Sequence, residues 1–119
     1  KIYFDLEEKR QKDNRTDIAI VRIEQLYPLP QNQLDALYKK YSKAIWYWVQ
    51  EEPLNMGAWS YIAMHFNDVK WEVIAHPGSG ALATGSSKRS ANQQIAIIER
   101  AFAPSSTKTK KAAPAKAKA

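Results

Sequence analysis

The sequence predicts an α/β domain of three layers, α/β/α, in which helices cover both faces of a mostly parallel sheet. Three nearly continuous apolar segments, rich in β-branched and aromatic residues, have the composition of strands buried on both faces. They are DIAIVRI at 17–23, KAIWYWVQ at 43–50 and WEVIAH at 71–76. Segments with helical periodicity alternate with them, as in sheets built from right-handed strand–helix–strand units.

Four segments carry apolar residues at the spacings i, i+3, i+4 and i+7, or at part of that series, and each is predicted to be a helix that buries one stripe. The first of them has no capping residue before it, so we expect the chain to be an N-terminally truncated fragment of a longer protein. The stripes are Ile2, Tyr3 and Leu6; Leu34, Leu37, Tyr38 and Tyr41; Trp59, Ile62, Ala63 and Phe66; and Ala91, Ile95, Ile98 and Phe102.

The basic charge of the chain is concentrated in its tail, APSSTKTKKAAPAKAKA at 103–119. The net charge is +6, but five of the eighteen Lys and Arg residues lie in this tail and all twelve acidic residues precede it. Residues 1–102 are therefore almost neutral, which argues against nucleic acid as their partner. The tail is of low complexity, and we expect it to be disordered. A solubilising role is the simpler interpretation, and contact with an acidic partner or nucleic acid is the alternative.

The sequence lacks the residues that several kinds of functional site require. The chain has no cysteine, and its longest apolar run, AIWYWV, is too short to cross a membrane. Its two histidines, His65 and His76, do not have the spacing of metal ligands. Neither a nucleophile elbow nor a dinucleotide-binding glycine motif is present. We therefore expect no catalytic residue, no metal and no membrane partner for this fragment.

Polar residues gather where the three predicted strands end, with His76 and the glycine-rich loop after the third, at the edge where open parallel sheets bind ligands. Adjacent residues of an extended chain point to opposite faces, so Glu51 and Glu52 are not expected to act as a catalytic dyad. Instead, we expect one to bind neighbouring backbone or Arg22 and the other to meet an adjacent domain. The candidate edge residues are Arg22, Glu24, Gln25, Gln50, Glu51, Glu52 and Asn55.

The loop GSGALATGSSK at 78–88 resembles a phosphate-binding loop only in its glycine spacing. Ser86 stands where the lysine of that motif must reach the phosphates, so the loop is not a Walker motif. A helix is predicted to begin here, and its free amides could hold an anion with Ser86, Ser87, Lys88 and Arg89. Capping of the helix by a serine is the alternative interpretation.

Three strings together resemble one family: VRIEQLYPLP at 21–30, VQEEPLNMGAW at 49–59, and ATGSSK followed by ANQQ at 83–94. Over residues 1–102 the chain is similar to the transketolase C-terminal-like domain of the thiamine-diphosphate-dependent first component of the 2-oxoglutarate dehydrogenase complex. Members of this family usually carry an Arg-Pro or Arg-Arg pair where this chain has HPGSGALATG, from His76.

The resemblance implies a parent oxidoreductase of the tricarboxylic acid cycle that decarboxylates 2-oxoglutarate and passes the succinyl group to a lipoyl-bearing succinyltransferase component. Thiamine diphosphate and magnesium would be bound by preceding domains of the same enzyme. Residues 1–102 would be an assembly or regulatory domain that packs on those domains and supports a homodimer. The fragment alone would be inactive.

The same resemblance implies a cytoplasmic location in a bacterium or the mitochondrial matrix in a eukaryote. Two other functions remain open from the residues alone. One is a stand-alone regulatory α/β module that binds an anion or nucleotide at Ser86 and Ser87. The other is a nucleic-acid-associated protein that uses the basic tail.

Overall fold

A computed structural model describes residues 1–80 and 85–103, and the backbone of residues 116–118. Four strands form one parallel sheet in the order β1-β4-β2-β3, so the predicted α/β class with a parallel sheet is confirmed. The elements in chain order are α1 (Ile2–Lys12), β1 (Ile18–Ile20), α2 (Gln31–Lys40), β2 (Trp46–Pro53), α3 (Trp59–His65), β3 (Trp71–His76), α4 (Ser87–Phe102) and β4 (Lys116–Lys118).

Residues along β2 alternate between two hydrophobic clusters, as expected of a strand that is buried on both faces. Tyr47 and Val49 belong to the first cluster and Trp46 to the second. The first cluster takes its helical members from α1 and α4, whereas the second takes Leu34 from α2. Helices α1 and α4 therefore contribute to one cluster and α2 to the other, and residues of β2 contribute to both.

The buried face of α4 differs from the predicted stripe. Ile97 and Ala101 are almost completely buried, whereas Ile95 is 53% exposed and Ala91 is also exposed. The prediction was correct for Phe102, which is buried, and wrong for Ala91 and Ile95. The C-terminal half of α4 contributes to the first cluster, whereas Ala91 and Ile95 border an open cleft.

Strand boundaries also differ from the prediction. The first strand is short, Ile18–Ile20, and β2 continues to Pro53 instead of ending at residue 50. The pairing of β2 with β3 shifts register between Val49 and Pro53. Proline has no N–H to donate, and a strand end is a position where that loss is tolerated. Glu51 and Glu52 therefore lie near the C-terminal end of β2 and not in a loop.

Part of the tail that was expected to be disordered lies in the sheet. Residues 116–118 form β4, paired with β1 on one side and with β2 on the other, which contradicts the expectation for these three residues. Every non-proline residue carries a backbone N–H and C=O, so a Lys-Ala-Lys segment can form ladder hydrogen bonds with strands on both sides. Residues 104–115 and 119 lie outside the described residues, and the expectation for them stays a prediction. Within the described ranges, no helix has both the length and the apolarity needed to span a bilayer.

Candidate functional site at the carboxyl edge of the sheet

The buried side chain of Gln50 shapes the loop that follows β2. Its Oε1 accepts a hydrogen bond from Trp48 Nε1 at 2.8 Å. Its Nε2 lies 3.3 Å from the carbonyl oxygen of Glu52, 3.0 Å from that of Pro53 and 2.8 Å from that of Met56, and donates to all three. Only 4% of the residue is exposed. A buried amide with these partners has a structural role, because its own polar atoms are hydrogen-bonded and it ties the end of β2 to the backbone of Met56.

Gly57 completes the same loop by packing against Gln50. Its φ of +72° lies in the left-handed region, which glycine adopts at little cost. A Cβ atom at this position would lie 3.1 Å from Gln50 Oε1 and 3.2 Å from Glu52 Cβ. Position 57 therefore requires glycine for both its backbone conformation and the space around it.

Asn55 joins the loop after β2 to the loop after β3. Its Nδ2 donates to the carbonyl oxygen of Ser79 at 2.9 Å, and its Oδ1 accepts from the Ser79 N–H at 2.9 Å. The N–H of Leu54 also donates to the carbonyl oxygen of His76, at 2.8 Å. The polar residues of the string QEEPLNMG thus hold two adjacent loops at the carboxyl edge of the sheet.

Glu51 belongs to a cluster that connects three elements. Gln94 Nε2, on α4, donates to Glu51 Oε1 at 2.8 Å and to Asp5 Oδ2, on α1, at 2.9 Å. Lys1 Nζ pairs with Asp5 Oδ2 at 2.7 Å. The hydrogen bond from Lys1 is the main cause that lowers the pKa of Asp5, burial opposes it, and the bond from Gln94 adds to the lowering. We call Lys1, Asp5, Glu51 and Gln94 the edge cluster.

A cleft of about 1230 Å³ lies beside the edge cluster, between α1, the start of α4 and the loop after β3. Basic and acidic side chains are mixed along its walls. Such a surface suits a partner that itself carries both charges, as a protein surface does, better than it suits a strong anion. The charged residues that line it are Lys1, Lys9, Lys12 and Arg89 on the basic side and Asp5, Glu8 and Glu51 on the acidic side.

Arg22 pairs with Glu24 and not with Glu51 or Glu52 near the end of β2. Its Nη2 pairs with Glu24 Oε1 at 2.8 Å, and its guanidinium lies 5.4 Å from the ring centre of Tyr3 and 5.5 Å from that of Phe4. The predicted pairing of Arg22 with Glu51 or Glu52 was therefore wrong. The aromatic residues of α1 attract the guanidinium, which local sequence around position 22 does not reveal.

The remaining candidate edge residues occupy different surroundings. Gln25 donates to the carbonyl oxygen of Pro28 at 2.8 Å within its own turn. Neither Gln25 nor Glu24 is among the described residues that line the cleft. Glu52 is exposed, and its carbonyl oxygen accepts from Gln50. The structure therefore brings Gln50, Glu51, Glu52 and Asn55 together, whereas the residues after β1 lie apart from them.

Ser86 caps α4, which confirms the interpretation that a serine caps this helix. Its Oγ accepts from the backbone N–H of Arg89 at 3.4 Å. Ser87 and Arg89 line the cleft, whereas Ser86 and Lys88 border a shallower groove of about 400 Å³ to which Arg89 also contributes. The four residues are thus divided between two depressions, and anion binding by them stays a prediction. Residues 81–84 of the loop lie outside the described residues.

The described residues do not include three or more His, Asp or Glu side chains grouped closely enough to hold a metal ion. The donor set at the carboxyl edge consists of Glu51 and Asp5 bridged by a glutamine amide, whose N–H groups repel a cation. The edge cluster therefore does not fit a magnesium ion, nor a diphosphate that is bound by way of a magnesium ion.

The sequence did not reveal three members of the edge cluster. Lys1, Asp5 and Gln94 are distant from Glu51 along the chain and meet it only through the packing of α1 and α4 against the sheet. The one feature of the sequence that points to Gln94 is the string ANQQ, which ends at Gln94 and is part of the family resemblance.

A family model described as 2-oxoglutarate dehydrogenase C-terminal matches residues 1–102. The chain belongs to this family. It is 42% identical over 113 residues to a multifunctional 2-oxoglutarate metabolism enzyme of Mycobacterium sp. (strain JLS), covering 87% of this chain and 9% of the relative. It is 39% identical over 111 residues to a 2-oxoglutarate dehydrogenase E1 component of Rickettsia felis, covering 86% of this chain and 11% of the relative.

The resemblance drawn from the three sequence strings is thereby confirmed at the level of the family. The chain spans only about a tenth of the length of these two relatives. Within this 2-oxoglutarate dehydrogenase C-terminal domain, the string QEEPLNMG has the loop-shaping role described above, and ANQQ supplies the bridge between α1, α4 and β2.

Proposed function

We propose that residues 1–102 form the non-catalytic assembly domain of an enzyme that decarboxylates 2-oxoglutarate. The observation that carries this proposal is the use of the polar residues at the carboxyl edge. Gln50 and Asn55 bind loop backbone, and Glu51 binds Gln94 between two helices. Groups engaged in this way hold a surface in shape and are not poised to move a proton.

The parent enzyme passes the succinyl group to a lipoyl-bearing succinyltransferase component in the tricarboxylic acid cycle. This part of the proposal is supported by the family and by the name of the Rickettsia relative. Thiamine diphosphate, which supplies the decarboxylation chemistry, and magnesium are bound by the preceding domains. The enzyme acts as a homodimer in the bacterial cytoplasm or the mitochondrial matrix. The residues of this chain bind and orient neighbouring polypeptide.

The cleft is the surface on which we place the contact with the rest of the enzyme. Its mixed charge complements a protein surface, and the exposed side chain of Glu52 lies at the same edge of the sheet. Salt bridges formed at the rim of such a contact steer and register the partner more than they strengthen its binding. The packing of the preceding domains against this edge then supports the dimer.

The decisive experiment replaces Glu51 or Glu52 with glutamine in the full-length enzyme and measures both the dimer fraction and the activity per dimer. We expect the dimer fraction or thermal stability to fall first, with activity falling in proportion to lost dimer. Glu24→Gln is the matched control, because Glu24 is also exposed and pairs with Arg22 away from the cleft. A collapse of activity per intact dimer at normal dimer fraction would make these acids catalytic and refute the proposal.

A second test uses the chain by itself. We expect purified residues 1–119 to show no turnover of 2-oxoglutarate when thiamine diphosphate and magnesium are supplied, because the edge residues are committed to internal hydrogen bonds. Release of carbon dioxide above the rate of a blank without protein would contradict the assignment of the chemistry to other domains.

A regulatory module that binds an anion is the second candidate, favoured by the position of Ser87 and Arg89 on the same cleft as three lysines. Calorimetric titration with inorganic phosphate and with ATP distinguishes it from the first. Binding that is lost in Arg89→Ala but kept in Lys88→Ala, whose side chain borders the other groove, would support this candidate. If neither ligand gives a heat of binding, the regulatory module is excluded and the assembly role is the remaining candidate.

A further inference from the structure

Aromatic side chains of β2, β3 and α2 form a continuous series of neighbouring rings. Trp71 on β3 lies at its centre, with its ring centre 6.3 Å from that of Trp48 and 5.7 Å from that of Trp46. Trp46 in turn lies 6.4 Å from Tyr38 on α2. Each separation falls within the ~4.5–7 Å at which aromatic rings interact directly. An electron can therefore pass between neighbouring rings of the series.

The series runs from the interior of the domain to its surface. Trp48 and Trp46 are 7% and 4% exposed, whereas Tyr38 is 37% exposed. The inner end lies close to the carboxyl edge of the sheet, because Trp48 donates its indole N–H to Gln50, which holds the loop after β2. The series thus connects a buried indole next to this loop with an exposed phenol on α2.

The hydrogen bonds of the three indoles favour electron transfer over loss of a proton. Indole has one N–H and only donates, and each of these three N–H groups donates to a neutral oxygen. Amide and carbonyl oxygens are weak bases, so an indole that has lost an electron keeps its proton and remains a radical cation, which readily oxidises the next ring. The acceptors are Gln50 Oε1 for Trp48 at 2.8 Å, the Phe66 carbonyl oxygen for Trp71 at 2.8 Å and the Tyr41 carbonyl oxygen for Trp46 at 3.2 Å.

Tyr38 provides a different end point. A phenol releases its proton when it loses an electron, and water can accept that proton because the side chain of Tyr38 is exposed. Release of the proton makes electron transfer from Tyr38 to an oxidised Trp46 favourable. The unpaired electron then resides at the surface, where small reductants can reach it.

We propose that Trp48, Trp71, Trp46 and Tyr38 form a path, the aromatic path, that carries oxidising equivalents from the interior to the surface. An oxygen-derived one-electron oxidant, such as the carbonate radical, takes an electron from Trp48. Electrons then move inward from Trp71, from Trp46 and finally from Tyr38, which releases its phenolic proton to water. A thiol or ascorbate returns a hydrogen atom to the tyrosyl radical.

The balance of this sequence is simple. The oxidant gains one electron, the reductant loses one hydrogen atom, one proton is released to water, and every ring ends unchanged. Without the path, the radical cation of Trp48 would persist and react irreversibly with water or oxygen, and Gln50 would lose the partner of its Oε1. The aromatic path therefore protects the core and the loop after β2 from oxidation. The inference is independent of the proposed function.

The alternative role of these rings is packing alone, and phenylalanine separates the two. Phenylalanine fills an aromatic site in a core, but it is not oxidised by agents that oxidise indole or phenol. The chain has no cysteine, so Leu54→Cys, at a position that is 47% exposed in the loop after β2, gives a single attachment point for a photo-oxidant. A laser flash starts the reaction in the full chain, and transient absorption distinguishes tryptophanyl from tyrosyl radicals.

In the labelled chain we expect the tryptophanyl signal to decay as a tyrosyl signal grows. Tyr38→Phe should abolish the tyrosyl signal and prolong the tryptophanyl signal, and Trp46→Phe should also abolish the tyrosyl signal. Tyr27→Phe is the matched control, because Tyr27 is 85% exposed and is not a member of the series, and it should change neither signal. An unchanged tyrosyl signal in Tyr38→Phe or in Trp46→Phe would overturn the path.

A second measurement tests protection and does not depend on how well Trp46→Phe folds. The unlabelled chain and Tyr38→Phe, which alters an exposed side chain, are treated with carbonate radicals in the presence of ascorbate. Mass spectrometry then measures the fraction of Trp48 with an opened indole ring. We expect this fraction to be larger in Tyr38→Phe, whereas Tyr27→Phe should match the wild type. Equal damage to Trp48 in Tyr38→Phe and the wild type would refute the protective role.

Discussion

The buried side chain of Gln50 makes four hydrogen bonds at the end of β2. Its amide joins Trp48 to the carbonyl groups of Glu52 and Pro53 at the end of β2 and of Met56 in the turn that follows. The polar position at the end of an apolar strand was visible in the sequence, but the partners were not, because they depend on how the chain folds back after Pro53. The conformation of this loop therefore depends strongly on a single side chain.

Gln50→Leu keeps the volume of the residue and removes all four hydrogen bonds. We expect the free energy of unfolding to fall by about 2 kcal/mol, because the hydrogen bonds of a buried amide are lost and the Trp48 Nε1–H is left without its acceptor. The midpoint of urea unfolding measures this change. Gln25→Leu is the control, since Gln25 is exposed and makes one hydrogen bond to Pro28. Equal midpoints for the two variants would show that the Gln50 network contributes nothing to stability.

Gly57→Ala tests the loop from its other side. The left-handed backbone and the atoms of Gln50 and Glu52 near the added methyl group should lower stability by about 1–3 kcal/mol. Gly80→Ala provides the comparison, because a methyl group there meets nothing within 4 Å. Thermal unfolding of both variants checks the prediction. It fails if the melting temperature of Gly57→Ala equals that of the wild type.

At the scale of the element, α4 shows how a helical periodicity can be read correctly while its buried face is assigned wrongly. The segment QQIAIIERAF contains Ile95, Ile97 and Ile98, so two overlapping stripes have the same period. Contact with β2 and β3 selects the stripe that contains Ile97 and Ala101. Ile95 borders the cleft and is left more than half exposed.

The pair Ile97→Ala and Ile95→Ala makes this assignment quantitative. Truncation of Ile97, which is 1% exposed, should cost about 2–5 kcal/mol through lost burial and a residual cavity. The same change at Ile95 should cost within about 0.5 kcal/mol. Guanidinium unfolding of the two variants is the measurement, and a larger loss for Ile95 would mean that the helix is rotated or that the cleft is filled by a partner.

At the scale of the whole molecule, the edge cluster links the first helix, the last helix and the central strand, and it gives stability a dependence on pH. Its carboxylate Asp5 has a folded-state pKa below the ordinary value of 3.8, chiefly because Lys1 donates a hydrogen bond to it. A carboxylate of this kind stabilises the fold above that ordinary value. The contribution is lost as the pH falls through the lowered folded-state pKa.

Asp5→Asn should therefore reduce stability modestly at about pH 6 and have a smaller effect at about pH 3, where the carboxylate is already becoming protonated. Because the ion pair with Lys1 is largely exposed to solvent, we expect a difference within about 1 kcal/mol. Urea unfolding at the two pH values measures it, with Glu8→Gln on the exposed part of the same helix as control. An effect that grows towards low pH would contradict the direction of the Asp5 pKa shift.

The local pattern of the sequence determined the class of the fold, the order of its main helices and strands, and the family. Apolar periodicity reports secondary structure because buried faces repeat with the backbone. The strings around Gln50 and Ser86 were specific enough to indicate the family, and Ser86 was correctly considered as a helix cap.

Only the tertiary structure decided which stripe of α4 is buried, which carbonyl groups Gln50 binds, and that Gln94 joins Asp5 to Glu51. It also placed Lys116–Lys118 between β1 and β2, against the character of that segment. These features depend on which surfaces approach each other and on which backbone groups are left to pair. Residues far apart in the chain decide both, so no local window of the sequence contains them.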